Sequence, residues 1–144
     1  MTIIADPITA VIRFLKADTD TAEMVANRVF GGEFPQLQND NMPMPAILIR
    51  NAGGGLLPIS SSYVRLYDMR LDVYSYGSTA NQAFRVYRCA AGALKQMKRN
   101  QQGKTVLYWA RTSSGPANLT EKFTEWSLTF SSWQVLFSES EVGA

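Results

Sequence analysis

The chain of 144 residues contains no histidine and one cysteine, Cys89. Because histidine is the most common general base and the most common transition-metal ligand, a Ser/His/Asp triad, a Cys/His pair and ordinary zinc sites are excluded. A single cysteine also excludes an internal disulfide and fits a reducing compartment. Without a histidine partner, Cys89 is interpreted as an incidental surface or interface thiol. We therefore expect no enzymatic activity, no metal and no cofactor.

Long apolar runs and targeting patterns are also lacking. No stretch approaches the length needed to span a membrane, and the N-terminus shows no basic, apolar, small-residue leader pattern, so neither a membrane location nor secretion is expected. The composition is 46% apolar, which suits a single domain over residues 1–144 with a sizeable core. The last segment, residues 138–144, is expected to be a frayed tail.

Acidic residues are missing from the middle third of the sequence. The net charge is only +2, with 14 Lys and Arg against 12 Asp and Glu. Residues 73–120 nevertheless contain no acid and carry seven basic side chains: Arg85, Arg88, Lys95, Lys98, Arg99, Lys104 and Arg111. The chain therefore has a basic middle between more acidic ends.

A strand followed closely by a helix forms the most strongly patterned part of the sequence. From Tyr67 to Val73, apolar residues alternate with Asp68, Arg70 and Asp72, which predicts a strand with one buried and one solvated face. Asp68 and Asp72 lie roughly 13 Å apart on that solvated face, too far for paired acid and base chemistry. After the hydroxyl caps at Ser78 and Thr79, helical apolar spacing continues toward Arg99.

The remaining elements complete an α+β domain. Asp6-Pro7 predicts a helix start, and a shorter helix follows near Thr21. Strands are predicted at residues 45–50, 105–111 and 123–137. A bulge at residues 131–132 of the last segment, or a break into two strands, would keep both of its apolar sets on one face. Loops are predicted at residues 33–45, 51–62 and 112–120. The expected architecture is one mostly antiparallel sheet of about four strands, with the helices packed on one face.

The side of the central helix that faces away from the predicted core has two different flanks. Helical geometry places four basic residues on one flank and three small residues on the other; the basic ones are Arg85, Arg88, Lys95 and Arg99, and the small ones are Val86, Cys89 and Ala93. The basic flank could be an ordinary solvated surface, a contact for acidic residues of a neighbouring copy or partner (the candidates are Asp68, Asp72, Glu121 and Glu125) or a contact for a nucleic-acid backbone. No RNA-binding consensus with interleaved aromatic residues is present, which weakens the last interpretation.

The segment from Asn51 to Ser62 contains three consecutive glycines followed by an apolar tip. No Lys-Ser or Lys-Thr follows the glycines, so a phosphate cradle is not supported. The segment is interpreted as a mobile loop whose tip orders on a partner, and the contact candidates are Leu56, Leu57 and Ile59.

Several short motifs resemble one protein family. In order, they are Asp6-Pro7-Ile8, Arg28-Val29-Phe30 followed by Phe34-Pro35-Gln36, Met44-Pro45-Ala46-Ile47, and Leu71-Asp72-Val73-Tyr74-Ser75 running into an Ala-rich helix. This series resembles the tail completion, or tail terminator, proteins of long-tailed bacteriophages. The resemblance implies a homo-oligomeric ring, a hexamer in the family, that caps the tail tube, stops its polymerisation and joins it to the head connector. It brings no catalytic residues.

Two hypotheses from different classes follow. The first is a virion structural protein at the head–tail junction, assembled in the host cytoplasm, which contacts tail-tube and connector proteins while DNA passes through the ring without sequence-specific binding. The alternative is a nucleic-acid-binding α+β module that uses the basic flank of the central helix. An enzyme without histidine is a distant third possibility.

Overall fold

The computed structural model describes residues 6–32, 45–56, 66–120 and 126–139. Three helices and six strands follow one another as α1 (Pro7–Ala17), α2 (Thr19–Val25), β1 (Val29–Gly31), β2 (Ala46–Leu56), β3 (Leu66–Gly77), α3 (Ala80–Lys95), β4 (Asn100–Gln102), β5 (Thr105–Thr120) and β6 (Ser127–Glu139). The six strands form one sheet in the order β1-β2-β3-β6-β5-β4, which curls into a half-barrel.

The sheet is mixed but mainly antiparallel. Only β1 and β2 run parallel, and every other neighbouring pair is antiparallel. The α+β class is therefore consistent with the prediction, whereas the expected number of four strands is wrong. The two additional strands, β1 and β4, have three residues each, and such short strands contain too few residues to show a period-two pattern in the sequence.

Side-chain caps explain where the helices begin. Asp6 accepts hydrogen bonds from the Thr9 backbone N–H (3.1 Å) and hydroxyl (2.6 Å) at the start of α1. Asp18 caps α2 in the same way through the N–H and hydroxyl of Thr21, and the Thr79 hydroxyl accepts a bond from the N–H of Gln82 in α3. These caps satisfy backbone donors that have no partner within a helix.

The main core lies between the helices and one face of the sheet. The odd-numbered residues of β3 and β6 point into it, including Leu71, Trp133 and Val135, which are at most 1% exposed. The predicted alternation from Tyr67 to Val73 is present, with the odd positions facing the helices. A second, smaller cluster lies on the opposite face, which we call the outer face, and contains Ala46, Leu48, Tyr76 and Leu128.

The predicted interruption of the last strand, by a bulge or by a break into two strands, is wrong. The pairing of β6 with β3 runs without interruption from Leu66–Ser138 to Gly77–Ser127. Trp133 and Phe137 therefore face the helices, while Leu128 and Phe130 lie on the outer face, where apolar neighbours cover Leu128. The register shifts occur instead in β5, which continues through residues 112–120 that were expected to form a loop.

The Asn51–Ser62 loop prediction is also wrong for its first half, because β2 continues to Leu56. A register shift between Asn51 and Gly53 introduces a bulge, and Gly53 and Gly54 have φ values of +118° and +139° that favour glycine. A Cβ at Gly54 would collide with the backbone carbonyl of Asp68 on β3. The glycines thus allow close strand contact.

Candidate interaction surfaces

A cleft between α2 and α3 contains half of the basic residues singled out in the sequence. Its volume is about 410 Å³, and its lining comprises Asp18, Asp20, Met24, Arg85, Arg88, Cys89, Gly92, Ala93 and Gln96. The N-terminus of α2 contributes the two carboxylates, and α3 contributes the two guanidinium groups. The cleft therefore presents charges of both signs, together with the apolar residues Met24 and Ala93.

Two acids of the same chain share the cleft with half of the basic flank. Asp18 and Asp20 line the cleft that also includes Arg85 and Arg88, so part of the flank's positive charge is offset locally. A polyanion approaching this part of α3 would meet two carboxylates as well as two guanidinium groups. This arrangement favours a protein partner with charges of both signs over a nucleic-acid backbone.

The predicted stripe of basic residues does not continue along one helix. Helix α3 ends at Lys95, where the N–H of Gln96 bonds back to the Gly92 carbonyl, and the chain then turns to bury Met97. Lys95 is therefore in the last helical turn and Arg99 lies outside the helix, just before β4. Both side chains are exposed. The helical extrapolation to Arg99 is wrong because burial of Met97 ends the helix.

The small-residue flank of α3 is used within the chain. Val86 is 0% exposed and Ala93 is 7% exposed, and Cys89, also on this flank, is half-buried at the cleft. Burial, followed by the nearby carboxylates of Asp20 and Asp18, raises the pKa of the Cys89 thiol. A raised pKa leaves less thiolate near neutral pH, so Cys89 is poorly suited to act as a nucleophile.

Asp68 and Asp72 lie on the outer face, on the side of the sheet opposite to the helices. Gln134 Nε2 donates to Asp68 (2.8 Å), and the Ser132 hydroxyl donates to Asp72 (3.1 Å). Both bonds cross from β6 to β3, so these carboxylates help to join the two central strands. Within one subunit the sheet separates them from the basic residues of α3, so any contact between the two groups would have to involve another copy.

Sequence reasoning missed the aromatic and arginine pairs of the outer face. Tyr74 packs against Phe130 with ring centroids 5.3 Å apart, and the Arg50 guanidinium lies 5.5 Å from the Tyr74 ring. Near the other end of the sheet, Arg111 lies 4.3 Å over the Trp109 ring. The available signal was that the even-numbered positions of β3 change from charged residues to tyrosine at Tyr74. Such amphipathic rings are common where proteins meet one another.

The three apolar contact candidates near Leu56 are only partly placed. Leu56 is the last residue of β2, where its backbone pairs with Tyr67. Leu57 and Ile59 lie outside the described residues, as do Glu121 and Glu125. The structure therefore brings Arg85 and Arg88 together at the cleft. On the other side of the sheet, Asp68 lies at the Leu56 end of β2, where it pairs with Gly55, whereas Asp72 pairs with Arg50 farther along the strand.

In the described part of the chain, no group of three or more side chains is suited to hold a metal ion. None of the helices in these ranges has the length and apolar character needed to cross a membrane.

Comparisons with known proteins place the fold. No protein-family model matches the chain, and no curated protein matches it in sequence. A solved structure does match in shape: a chain from the virion of the native gene transfer agent (GTA) particle, with a TM-score of 0.64 and 12% sequence identity. The match covers 91% of this chain and 93% of the other. The chain therefore has the fold of a component found in that virion.

Proposed function

We propose that this protein is a structural component of a tailed phage or phage-like particle, in which it forms a ring at the junction of tail and head. The observation that carries the proposal is the fold shared over 91% of the chain with a component of the GTA virion. The ordered motifs that resemble tail terminator proteins add the finer role. In that role the ring, a hexamer, caps the tail tube, ends its polymerisation and joins it to the head connector.

The surfaces of the subunit suit a protein that acts through contacts. The α2–α3 cleft carries Arg85 and Arg88 beside Asp18 and Asp20, and Lys95 and Arg99 remain exposed beyond it. Charges of both signs give orientation and partner choice more than raw affinity. We assign these surfaces to contacts with neighbouring subunits, the tail-tube protein and the connector, and we assign no catalytic step to any residue.

The alternative function, a nucleic-acid-binding module, makes a different prediction. Binding to phosphates releases counterions, so affinity for short duplex DNA would fall steeply as the salt concentration rises. The carboxylates beside Arg85 and Arg88 disfavour this mode. In our proposal DNA passes through the ring without sequence-specific binding. We therefore expect the isolated protein to show no strongly salt-dependent affinity for short duplexes.

Inactivation of the gene in the producing particle tests the proposal. We expect DNA-filled heads and overlong or unjoined tails by electron microscopy, with normal particles restored when the wild-type gene is supplied in trans. The matched control is complementation with Asn81→Ala, a change at an exposed position in α3 to which no contact is assigned, and it should also restore normal particles. Joined particles with tails of normal length in the absence of the protein would refute the proposed role.

A further inference from the structure

The two edges of the sheet are stepped, because the outermost strand at each edge pairs with only part of its longer neighbour. On one edge, β4 pairs with β5 only along Thr105–Leu107. From Tyr108 to Thr120, the edge of β5 that faces away from β6 is not paired with any strand among the described residues. This stretch lies beside Ser127–Leu136 of β6, and ten residues at about 3.3 Å each correspond to roughly 30 Å of strand paired on one side only. Unpaired strand edges are templates for pairing with another chain.

The opposite edge has a step at the other end. There β1 pairs with β2 only at Ile47–Ile49, and the structure shows no described strand outside β2 from Arg50 to Leu56. The Ile47 N–H donates to the Arg28 carbonyl, and the Gly32 N–H donates to the Ile49 carbonyl. The alternate residues, Val29 and Gly31, therefore direct their backbone groups away from the sheet. Backbone groups on β1 are therefore oriented toward a further strand.

The two steps match in height along the strands. The register connects Val29 through Ile47, Ser75 and Thr129 to Asn118, so β1 lies level with the distal part of β5. In the same way β4 lies level with Leu56, because Asn100 connects through Leu107, Phe137 and Tyr67 to that residue. Each edge thus has a projecting strand where the other edge has a gap.

We propose that copies of this chain join head to tail through these stepped edges, so that β1 of one copy pairs with the distal part of β5 in the next and β4 fits beside β2. This inference rests on the proposed ring. The strand directions allow this pairing. Three antiparallel pairings separate β2 from β5, so β2 and β5 run in opposite directions. Because β1 is parallel to β2, it runs antiparallel to β5 of a neighbour in the same orientation. Contacts between two different edges generate rings when the rotation closes.

The sequence of β5 suits such pairing. All residues from Arg111 to Thr120 are exposed, and those after Arg111 include no charged residue, although charges on edge strands commonly prevent association. Leu119 is 50% exposed, an unusual position for a large apolar side chain in this protein. Pro116 lacks an N–H donor, so the pairing segment is Ala117–Thr120. Main-chain bonds would supply affinity in this segment.

Disulfide trapping tests the edge pairing. The background is Cys89→Ser, which removes the natural thiol, and one cysteine is placed near each edge as Asn27→Cys and Thr120→Cys, both at exposed positions. With no stagger between copies, the register of Val29 with Asn118 extended by two residues brings these positions close together. Asn118→Cys replaces Thr120→Cys to cover a stagger of two residues. Under mild oxidation followed by denaturing electrophoresis, we expect the double variant to give a ladder of covalent multimers and each single variant to give no covalent multimer.

Other outcomes are equally informative. A covalent dimer from Thr120→Cys alone would mean that β5 edges pair with each other, which overturns head-to-tail pairing. A ring demonstrated by native mass without cross-links from either double variant would also overturn it while leaving the proposed function intact. Absence of any oligomer, both alone and with tail-tube protein, would contradict the edge pairing and the ring together.

Introducing positive charge on the β5 edge provides a second test of the edge pairing. The double variant Leu119→Lys/Thr120→Lys introduces the charges that normally prevent edge association, at exposed positions where folding should be little affected. We expect loss of the oligomer with an unchanged circular dichroism spectrum. The matched control is Asn81→Lys, at an exposed position in α3, which should assemble normally. An intact oligomer from the double lysine variant would overturn the proposal.

Discussion

Two buried serines on adjacent central strands should respond in opposite ways to loss of their hydroxyl groups. Ser75 on β3 and Ser131 on β6 are both 0% exposed. The Ser131 hydroxyl accepts a hydrogen bond of 2.9 Å from the indole N–H of Trp133, which is itself 1% exposed. The Ser75 hydroxyl, by contrast, has no hydrogen-bond partner among the described residues.

The expected free-energy difference follows from the cost of an unsatisfied buried polar group. Ser131→Ala leaves the Trp133 N–H buried without an acceptor, which costs about 1–3 kcal/mol. Ser75→Ala removes a hydroxyl that is already unsatisfied, so its effect should lie between zero and a stabilisation of about 1 kcal/mol. For a domain of this size, each kcal/mol shifts the midpoint of thermal unfolding by about 3–4 °C.

Urea unfolding of the isolated subunit, monitored by circular dichroism, gives both values. The chain concentration is kept low and constant because assembly would add to the apparent stability. In a Trp133→Phe background, Ser131→Ala should lose most of its cost, since no indole N–H is left to satisfy. The reasoning is refuted if Ser131→Ala is no more destabilising than Ser75→Ala, or if its cost is unchanged in the Trp133→Phe background.

Three other predictions concern the cap, the strand register and assembly. Asp6→Ala should lower the free energy of unfolding by about 0.5–1 kcal/mol. Because the Thr9 hydrogen bond lowers the Asp6 pKa from its ordinary 3.8, this difference in stability between wild type and variant should be complete above that pH and should vanish in stronger acid. Urea titrations across pH measure it. Leu71→Asp should cost several kcal/mol by burying a carboxylate, whereas Asp72→Asn should cost under about 1 kcal/mol; equal thermal shifts would contradict the register. Arg88→Glu/Lys95→Glu should leave the circular dichroism spectrum unchanged and weaken the oligomer in sedimentation, and an undiminished oligomer would contradict the contact role of α3.

The elements with strong local patterns were predictable from the sequence. The alternation in β3 and the apolar spacing of α3 each extend over several periods, and the caps at Asp6 and Thr79 use side chains whose chemistry is local. These features need no information from distant parts of the chain. They are sufficient to define an α+β domain with a helix packed on its central strand.

The features that were missed depend on distant neighbours. The glycines after Asn51 indicated a loop, but β3 pairs with them closely enough to exclude a side chain at Gly54. Gly115 and Pro116 likewise indicated a loop within what is a continuous β5. In the cleft, Asp18 and Asp20 come near Arg85 and Arg88 only because α2 packs on α3. No local period in the sequence reports such a contact.

Localisation in purified particles is the sharpest test of the proposal that this protein is a structural component at the junction of tail and head. A short peptide tag at whichever terminus preserves particle production, detected with gold-labelled antibody, reports the position by electron microscopy. We predict label at one site per particle, between the tail tube and the head. Particles of normal form that lack the label, or label confined to the head shell, would contradict the account.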